Sequence, residues 1–399
     1  MTIYRLVLAA SLLAAPFSTF ASAQLKCHEA FQVGNKSYKD YLRPVPEDDF
    51  VVYMRSNPAG SLAWFNEKIM PNLASAELNS IAKKQGYIGG DVKPDNVDMV
   101  STKGKKFIAV IDLDDGGVGP FVADFFHSLV YNRVWPVSIK FKDAVDAYQD
   151  GLKGKKLRDI VDLNDIWKER SDEKINHEKM EKSEKNFLEM LKLTSVKEAE
   201  PNVRALFERN EKLILKKAES FGDIVHFGVR VKTSGGSMGA PRFSFLVKDS
   251  NKELKIIEFK FQPSPAVAAL GTAQPPHTER IKNLIRHYKP QHETGNILGV
   301  LDTKQDGTFL IRVRVPSNFD AASIPKSQKD TEAYDSYIRH MFHMMGNAHA
   351  RQSPEYVREF NDNLHKIEGE LEALVEEQVN LFRSEFEASK AKALVGPAR

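Results

Sequence analysis

The segment that most constrains this chain is residues 86–126, in which apolar runs alternate with short polar loops. It contains the sequence GDVKPDN, then the apolar run 107–111, and then the acidic sequence DLDD. This pattern predicts a strand, a tight loop, a second strand, an acidic loop and the start of a helix. We therefore expect Asp91, Asn96 and Asp112 to lie at strand ends beside a loop.

The first 23 residues have the features of a Sec-type signal peptide. Arg5 supplies a short positive region, residues 6–17 are apolar, and small residues precede a cleavage position after Ala23. The apolar run is too short to span a bilayer, and a buried N-terminal helix is the alternative interpretation. We expect a periplasmic or secreted mature protein with no membrane span.

Composition sets broader bounds on the mature protein. The 399 residues are enough for two or three domains, and 42% of them are apolar and 28% charged, as in ordinary folded proteins. A net charge of only +3 gives no reason to expect a nucleic-acid partner. Cys27 is the only cysteine, so the chain implies no internal disulfide.

The periodicity of apolar residues predicts an α+β fold made of two lobes and C-terminal helices. Residues 24–222 are predicted to form a mainly helical lobe, in which the charged stretch 135–222 is a helical insert with solvated faces. The composition shifts at Asp223, and residues 223–320 are predicted to form a small antiparallel lobe. Residues 321–399 are predicted to be helices that pack on the helical lobe.

The small lobe is predicted to contain five strands, with a helix over residues 278–288 between the third and the fourth. The predicted strands are residues 224–232, 242–248, 254–261, 296–302 and 308–315. A glycine turn joins the first two. Near the C-terminus, Ser353 and Pro354 suit the N-cap and first turn of a long helix.

The polar residues of both lobes could together form a phosphate site. Magnesium prefers oxygen ligands, backbone N–H groups of a glycine turn can approach phosphates, and a lysine on a strand adds a fixed positive charge. Asp91 is the candidate base or positioning residue for an attacking hydroxyl. The other candidates are Asn96, Asp112 and Asp114 for the metal, Gly235, Gly236, Ser237 and Gly239 for the glycine turn, Lys260 on the third strand, and Glu279 as its partner.

Each of these residues also has an ordinary structural interpretation. Asp91 and Asn96 could cap a turn. The acidic residues 112–115 could form a solvated loop or a calcium site, although the spacing of an EF-hand is absent. Lys260 could protect an edge strand, and His349 could be a helix-end residue favoured by the helix dipole.

GDVKPDN resembles the kinase catalytic loop, and VIDLDD resembles the segment with the metal-binding Asp. The short connection GVGPFVAD that follows is similar to that of the aminoglycoside and choline kinase branch. The resemblance implies that Asp91 is the catalytic base, that Lys93 keeps a positive charge near the phosphate, and that Asp124 is a structural Asp at the start of the next helix.

The motifs together resemble the bacterial kinase-like family known as domain of unknown function 2252, over most of residues 40–353. GDVKPDN, IDLDD, GP with Asp124, GGSMGA, EFKF and GNAHAR match its motifs in its order. The chain departs from the family pattern where the family has a loop His, an Asn before the metal Asp, a Glu after the strand Lys and a helix Glu. Those positions are Lys93, Ile111, Phe261, and either Glu279 or Asn283.

The order of the motifs differs from that of ordinary kinases. Here the catalytic loop and metal Asp precede the glycine turn and lysine, and placing residues 86–130 after residue 353 would restore the usual order. The resemblance therefore implies a circularly permuted kinase-like fold, which adjacent termini make feasible. The segment 313–317 would then be the hinge that faces the adenine.

The function that this resemblance implies is phosphotransfer from a magnesium-bound nucleotide, ATP or another, to a small hydroxylated acceptor. Two alternatives are a catalytically inactive kinase-like binding protein, and nucleotidyl transfer from the same site. Export favours the inactive alternative or a different phosphate donor, since ATP is scarce outside the cytoplasm.

Overall fold

The computed structural model describes residues 37–45, 48–102, 105–157, 176–231, 239–262, 264–288, 297–303, 306–314 and 328–395. These residues form a mixed fold of many helices and antiparallel sheets, as the α+β prediction requires. The predicted signal peptide, Cys27 and three of the glycine-turn residues, Gly235, Gly236 and Ser237, lie outside the described residues. Across the described ranges, no helix is both long and apolar enough to cross a bilayer.

The first helices provide one wall of the main core. Helix α1 (Phe50–Ser56) begins at Asp49, whose carboxylate accepts backbone N–H groups of its first turn. Helix α2 (Pro58–Trp64) continues into a π-helical turn, Phe65–Ile69, and α3 (Ala76–Ala82) follows. The apolar residues of these helices lie in the main core.

The segment singled out by its sequence folds into two small sheets around two loops. Strand β1 (Gln85–Ile88) pairs with β4 (Gly117–Pro120), and between them β2 (Val97–Thr102) and β3 (Lys105–Val110) form a hairpin. Helix α4 (Phe121–Val134) begins directly after β4. The two predicted strands, β1 and β3, and the helix are confirmed, and β2 and β4 are additional strands.

The charged region that follows is helical wherever the structure describes it. Its helices are α5 (Phe141–Leu152), α6 (His177–Glu181), α7 (Glu184–Leu191) and α8 (Pro201–Glu219). Helix α5 is amphipathic and buries Ala144, Val145 and Tyr148. Helix α8 buries Val203, Phe207 and Ile214 against the large sheet, so it is a structural support of that sheet rather than a solvated appendage.

The large sheet is antiparallel and has the order β5-β6-β7-β9-β8. Helix α9 (His277–Tyr288) lies between β7 and β8 in sequence, as predicted. The strands are β5 (Asp223–Val231), β6 (Pro241–Lys248), β7 (Leu254–Gln262), β8 (Ile297–Asp302) and β9 (Thr308–Val313). Phe243, Phe259 and Phe309 pack on α8 from one face, so residues of alternate parity occupy the other face.

Two long helices complete the main core. Helix α10 (Gln328–Ala350) packs on α5, and α11 (Pro354–Val395) packs on α3 and α4. Helix α11 begins after Ser353, whose hydroxyl accepts the Tyr356 N–H at 3.1 Å as an N-cap does. Ile281 and Leu284 of α9 also enter this core, so α9 connects the large sheet to the helices.

Candidate functional site

Asp124 fixes the loop that follows β1. Its carboxylate accepts the N–H of Gly89 at 3.0 Å and of Gly90 at 2.8 Å, the hydroxyl of Tyr288 at 2.6 Å, and lies 3.2 Å from Nε2 of His349. Gly90 has a φ of 71°, a left-handed conformation that favours glycine. The carboxylate thus holds the two residues immediately before Asp91.

His349 lies in the last turn of α10, as its interpretation as a helix-end residue requires, and it is buried in the protein interior. Its Nδ1 is 2.7 Å from the hydroxyl of Tyr148, and its Nε2 is 2.9 Å from that of Tyr288. Burial disfavours the charge of Asp124, but hydrogen bonds from His349 and Tyr288 outweigh burial and lower the pKa of Asp124. Asp124 is therefore a structural carboxylate, as the resemblance to small-molecule kinases implied.

Asp91 projects from this loop into a cluster of polar side chains. Its Oδ2 accepts the Asn96 side-chain N–H at 2.8 Å and is ion-paired with the buried ammonium of Lys93. Its Oδ1 lies 3.4 Å from Nε2 of His127. Burial disfavours the charge of Lys93, but the carboxylates of Asp91 and Asp95 outweigh burial and raise the pKa of Lys93.

A short hydrogen-bond chain orients His127. The side-chain N–H of Gln378 donates to Oγ of Ser61 at 2.8 Å, and Oγ lies 2.8 Å from Nδ1 of His127. The hydroxyl of Ser61 accepts a hydrogen bond from Gln378 and can donate its own hydrogen to Nδ1. In that arrangement, Nε2 of His127 is the nitrogen that donates toward Asp91.

Asp112 and Asp114 meet Lys260 where the acidic loop approaches the large sheet. Nζ of Lys260 lies 2.7 Å from both oxygens of Asp112 and 2.6 Å from Oδ2 of Asp114. Lys260 is completely buried on β7, the middle strand of the sheet, so it does not protect an edge strand. The structure thus joins two predicted halves of the site that lie 148 residues apart in sequence.

The two carboxylates respond differently to this lysine. Burial disfavours the charge of Asp112, but the ammonium of Lys260 outweighs burial and lowers the pKa of Asp112 well below its ordinary value. Burial and the nearby charge of Asp112 raise the pKa of Asp114. Only Asp112 retains appreciable exposure, with 19% of its side chain accessible against 4% for Asp114. Asp112 is therefore the carboxylate that can reach a ligand.

Arg280, not Glu279, connects helix α9 to the acidic loop. The Arg280 guanidinium is buried and donates to the carbonyl oxygens of Asp114, at 2.8 Å, and of Gly116. Glu279 is exposed, whereas Lys260 is buried with Asp112 and Asp114, so the predicted pairing of Glu279 with Lys260 is wrong. Adjacent helical residues point about 100° apart, so one of them faces solvent when its neighbour faces the loop.

The remaining predicted residues fall into two groups. Asn96 lies beside the acidic loop, because its carbonyl accepts the N–H of Ile111 at 2.9 Å. Gly239 has a φ of 83°, as a glycine turn requires, but its partners in that turn lie outside the described residues. No cluster of three or more His, Cys, Asp or Glu side chains suited to a metal is present among the residues that the structure describes.

Several residues of the site were not identified from the sequence. Arg280, His127, Ser61 and Tyr288 hold the catalytic candidates or their loops. The signal for His127 is its spacing, since it lies three residues after Asp124 in an otherwise apolar helix and so shares a face with it. Ser61 and Tyr288 carry no comparable local signal.

Residues 56–156 match the model of the phosphotransferase enzyme family called APH. The matched region includes Asp91, Asn96, Asp112 and Asp124, the polar residues around the two loops. No curated protein and no solved structure matches the chain. Over these residues the chain is therefore similar to a phosphotransferase family, which indicates a kinase-like transferase.

Proposed function

We propose that this protein is a phosphotransferase that moves a phosphoryl group from a magnesium-bound donor to the hydroxyl of a small acceptor. The observation that carries the proposal is the contact of Lys260 with Asp112 and Asp114, beside the loop of Asp91 and Asn96. Three residue types that phosphoryl transfer uses, Asp, Asn and Lys, thereby lie together although they come from distant parts of the sequence.

Asp91 is the proposed base. A carboxylate at this position can accept the proton of an attacking hydroxyl, and His127 and Asn96 fix its orientation through one bond to each oxygen. Lys93 is ion-paired with the same carboxylate and is buried with it. Lys93 therefore places a positive charge directly beside the proposed base.

The donor set fits magnesium. Asp112 and Asp114 supply carboxylate oxygens, and the amide nitrogen of Asn96 is used by Asp91, so its amide oxygen is the atom that would face a cation. A bound magnesium ion would neutralise charge on the phosphate groups. Lys260, which neutralises Asp112 here, is positioned to hold a phosphate oxygen when that carboxylate binds the cation.

The same proposal includes a kinase-like two-lobe fold and its circular permutation. It also includes membership of the family known as domain of unknown function 2252. The match to residues 56–156 covers the loops of Asp91 and Asp112. The lysine strand and α9 follow it in sequence, and a kinase would have them before it. We also propose that residues 1–23 direct export, with periplasmic or secreted protein as the product.

One observation favours the alternative of an inactive binding protein. Both catalytic candidates are already neutralised by lysines, Asp91 by Lys93 and Asp112 by Lys260. Nucleotidyl transfer would use the same donors, and mass analysis of the products distinguishes it from phosphoryl transfer.

The test combines binding and turnover by the purified protein. Mg-ATP should raise the thermal midpoint, and Asp112→Asn should remove that shift because the cation loses its carboxylate. Asp91→Asn should abolish turnover without abolishing the shift. Asp95→Asn is the matched control, since Asp95 lies in the same loop but its side chain pairs with Arg55 at 2.6 Å.

Binding without any turnover that depends on Asp91 would support the inactive alternative. The proposal fails if neither Mg-ATP nor any other magnesium-bound phosphate donor shifts the midpoint. It also fails if turnover survives Asp91→Asn unchanged.

A further inference from the structure

The face of the large sheet that bears Lys260 is cationic next to that residue. Glu258, two residues earlier on β7, is fully buried, and its Oε1 accepts hydrogen bonds from Nη2 of Arg312 at 2.6 Å and from Nε at 2.9 Å. Arg230 lies 3.2 Å and Arg242 lies 3.5 Å from the same carboxylate. We call Arg230, Arg242 and Arg312 the arginine cluster.

Strand register places the arginine cluster and Lys260 side by side. Arg242 pairs directly with Lys260, and Arg230 pairs with Arg242 on the next strand. Arg312 pairs with Glu258, which lies about 7 Å along β7 from Lys260. A ligand held by Lys260 would therefore extend along the sheet into the cluster.

Positive charge exceeds negative charge on this face. Five cationic side chains surround three carboxylates, those of Glu258, Asp112 and Asp114, which leaves an excess of two positive charges. The cations are Arg230, Arg242, Lys260, Arg312 and Arg314. Burial, and after it the neighbouring arginines, lower the pKa of Arg314 to about 10, as expected for a cation without full compensation.

Buried polar atoms on the same face have hydrogen-bonding capacity to spare. Two fully buried oxygens have no hydrogen-bond partner among the described residues: Oγ of Ser244 and Oε1 of Gln262. Ser244 is paired in register with Glu258, and Gln262 lies two residues after Lys260. Nε of Arg230 and one guanidinium nitrogen of Arg314 are also buried and also lack a hydrogen-bond partner among the described residues. Buried polar groups are normally satisfied, so these atoms point to a polar ligand.

A nucleotide base would find an unsuitable surface here. Pockets for flat organic groups are mostly apolar with a few polar contacts. Leu310 is the apolar neighbour of Lys260 on β9, but Arg242 on β6 and the pair Glu258 and Arg312 are charged. Arg314 also belongs to the segment 313–317 that the kinase resemblance assigns to adenine. The chemistry of the face matches phosphates instead, which guanidinium groups bind through paired hydrogen bonds.

We infer that the arginine cluster binds the distal, non-transferred part of a linear polyphosphate, so that the phosphoryl donor is a base-free polyphosphate rather than a nucleotide. This inference rests on the proposed function, because it assigns the donor of that reaction. In the transfer, the acceptor oxygen bonds to the terminal phosphorus and the phosphoanhydride bond breaks. Asp91 takes the hydroxyl proton, and a polyphosphate shorter by one phosphate leaves with the bond electrons.

Equilibrium binding of magnesium tripolyphosphate tests the inference directly. Tripolyphosphate should bind at least as tightly as ATP, and adenosine should not compete with it. Arg230→Gln should weaken tripolyphosphate binding about tenfold, because one charge-assisted contact is lost. The affinity should also fall as the salt concentration rises.

Two further variants control the measurement. Arg209→Gln removes the same charge from α8, where Arg209 pairs with Asp306, and should leave binding unchanged. Glu258→Gln should tighten tripolyphosphate binding, since it removes the carboxylate that competes for the arginine cluster. If that variant does not fold, the comparison of Arg230→Gln with Arg209→Gln decides the question.

The outcomes separate this inference from the proposed function. If ATP is the donor, adenosine competes, and Arg230→Gln binds like the wild type, the inference is overturned while the phosphotransferase proposal stands. Absence of tripolyphosphate binding also overturns it. If tripolyphosphate binds through Arg230 but no transfer depends on Asp91, the binding assignment stands and the phosphotransferase proposal falls.

Discussion

Asp124 and Asp112 are two aspartates, twelve residues apart, whose carboxylates are held in different ways. Asp124 is fully buried and accepts hydrogen bonds from two backbone N–H groups, a tyrosine and a histidine on three separate parts of the chain. Asp112 contacts the ammonium of Lys260 and keeps one fifth of its side chain accessible.

This difference distinguishes a carboxylate that stabilises the fold from one that can take part in the reaction. A carboxylate whose acceptor sites are occupied by fixed donors cannot exchange them without disturbing the fold, so Asp124 determines where Asp91 lies. A partly exposed carboxylate paired with a lysine can exchange that cation for another, so Asp112 can take part in ligand binding.

The largest expected effect is on stability. Asp124→Ala should lower the free energy of unfolding by about 3–5 kcal/mol, because two buried backbone N–H groups and His349 lose their acceptor. Tyr288→Phe, which removes only one of the donors, should cost about 1 kcal/mol. Urea denaturation measures both changes. A loss below about 1 kcal/mol for Asp124→Ala would contradict the structural role of Asp124.

The second effect is on turnover. Asp112→Asn should reduce phosphoryl transfer about 10²–10³-fold, because the cation and phosphate lose a negative ligand. The free energy of unfolding should change by less than about 1 kcal/mol, since Lys260 keeps Asp114 as a partner at 2.6 Å. Steady-state kinetics measures the change in turnover, and urea denaturation of the same preparation measures the change in the free energy of unfolding. Loss of folding in parallel with activity would make Asp112 a second structural carboxylate.

A smaller effect is expected for His127, which orients Asp91 as a positioning residue. His127→Phe should lower kcat roughly tenfold with little change in KM, because the base is misplaced but the donor still binds. His127→Gln, which keeps a side-chain donor, should recover part of that loss. If both variants change KM and kcat together, His127 supports packing only.

The smallest effect is the pH dependence that Asp124 contributes to stability. Its pKa is lowered in the folded protein, so its contribution is fully present above the unfolded value of about 3.9 and is lost as pH falls through the lower folded value. Asp124→Asn should therefore flatten the loss of stability below about pH 4, by up to about 1.4 kcal/mol per pH unit. Equal slopes for variant and wild type would show that Asp124 is not ionised in the fold.

Much of the local structure could be predicted from the sequence. Alternating apolar residues predicted all five strands of the large sheet, and the helix between its third and fourth strands was predicted as well. Both predictions were possible because periodicity is a local property of the sequence. The clustering of Asp91, Asn96 and Asp112 around loops was also predictable, since strand ends deliver polar residues to the same region. Lys260 was identified by its position on a strand, not by its contacts.

Contacts between distant segments required the tertiary structure. Nothing local distinguishes Glu279 from Arg280 as the residue that faces the acidic loop, because the answer depends on how α9 rotates against β4 and the core. The burial of His349 likewise depends on packing among three helices.

Residue types and local patterns indicated which residues could perform phosphate chemistry and which elements carry them. Their partners emerge only from the packed chain: Lys260 contacts Asp112 across 148 residues, and Asp91 contacts His127. The tertiary structure also showed that charged residues surround Glu258 on the sheet face. The physical reason is that periodicity and turn chemistry act within a few residues, whereas ion pairs form between whichever groups packing of the core brings together.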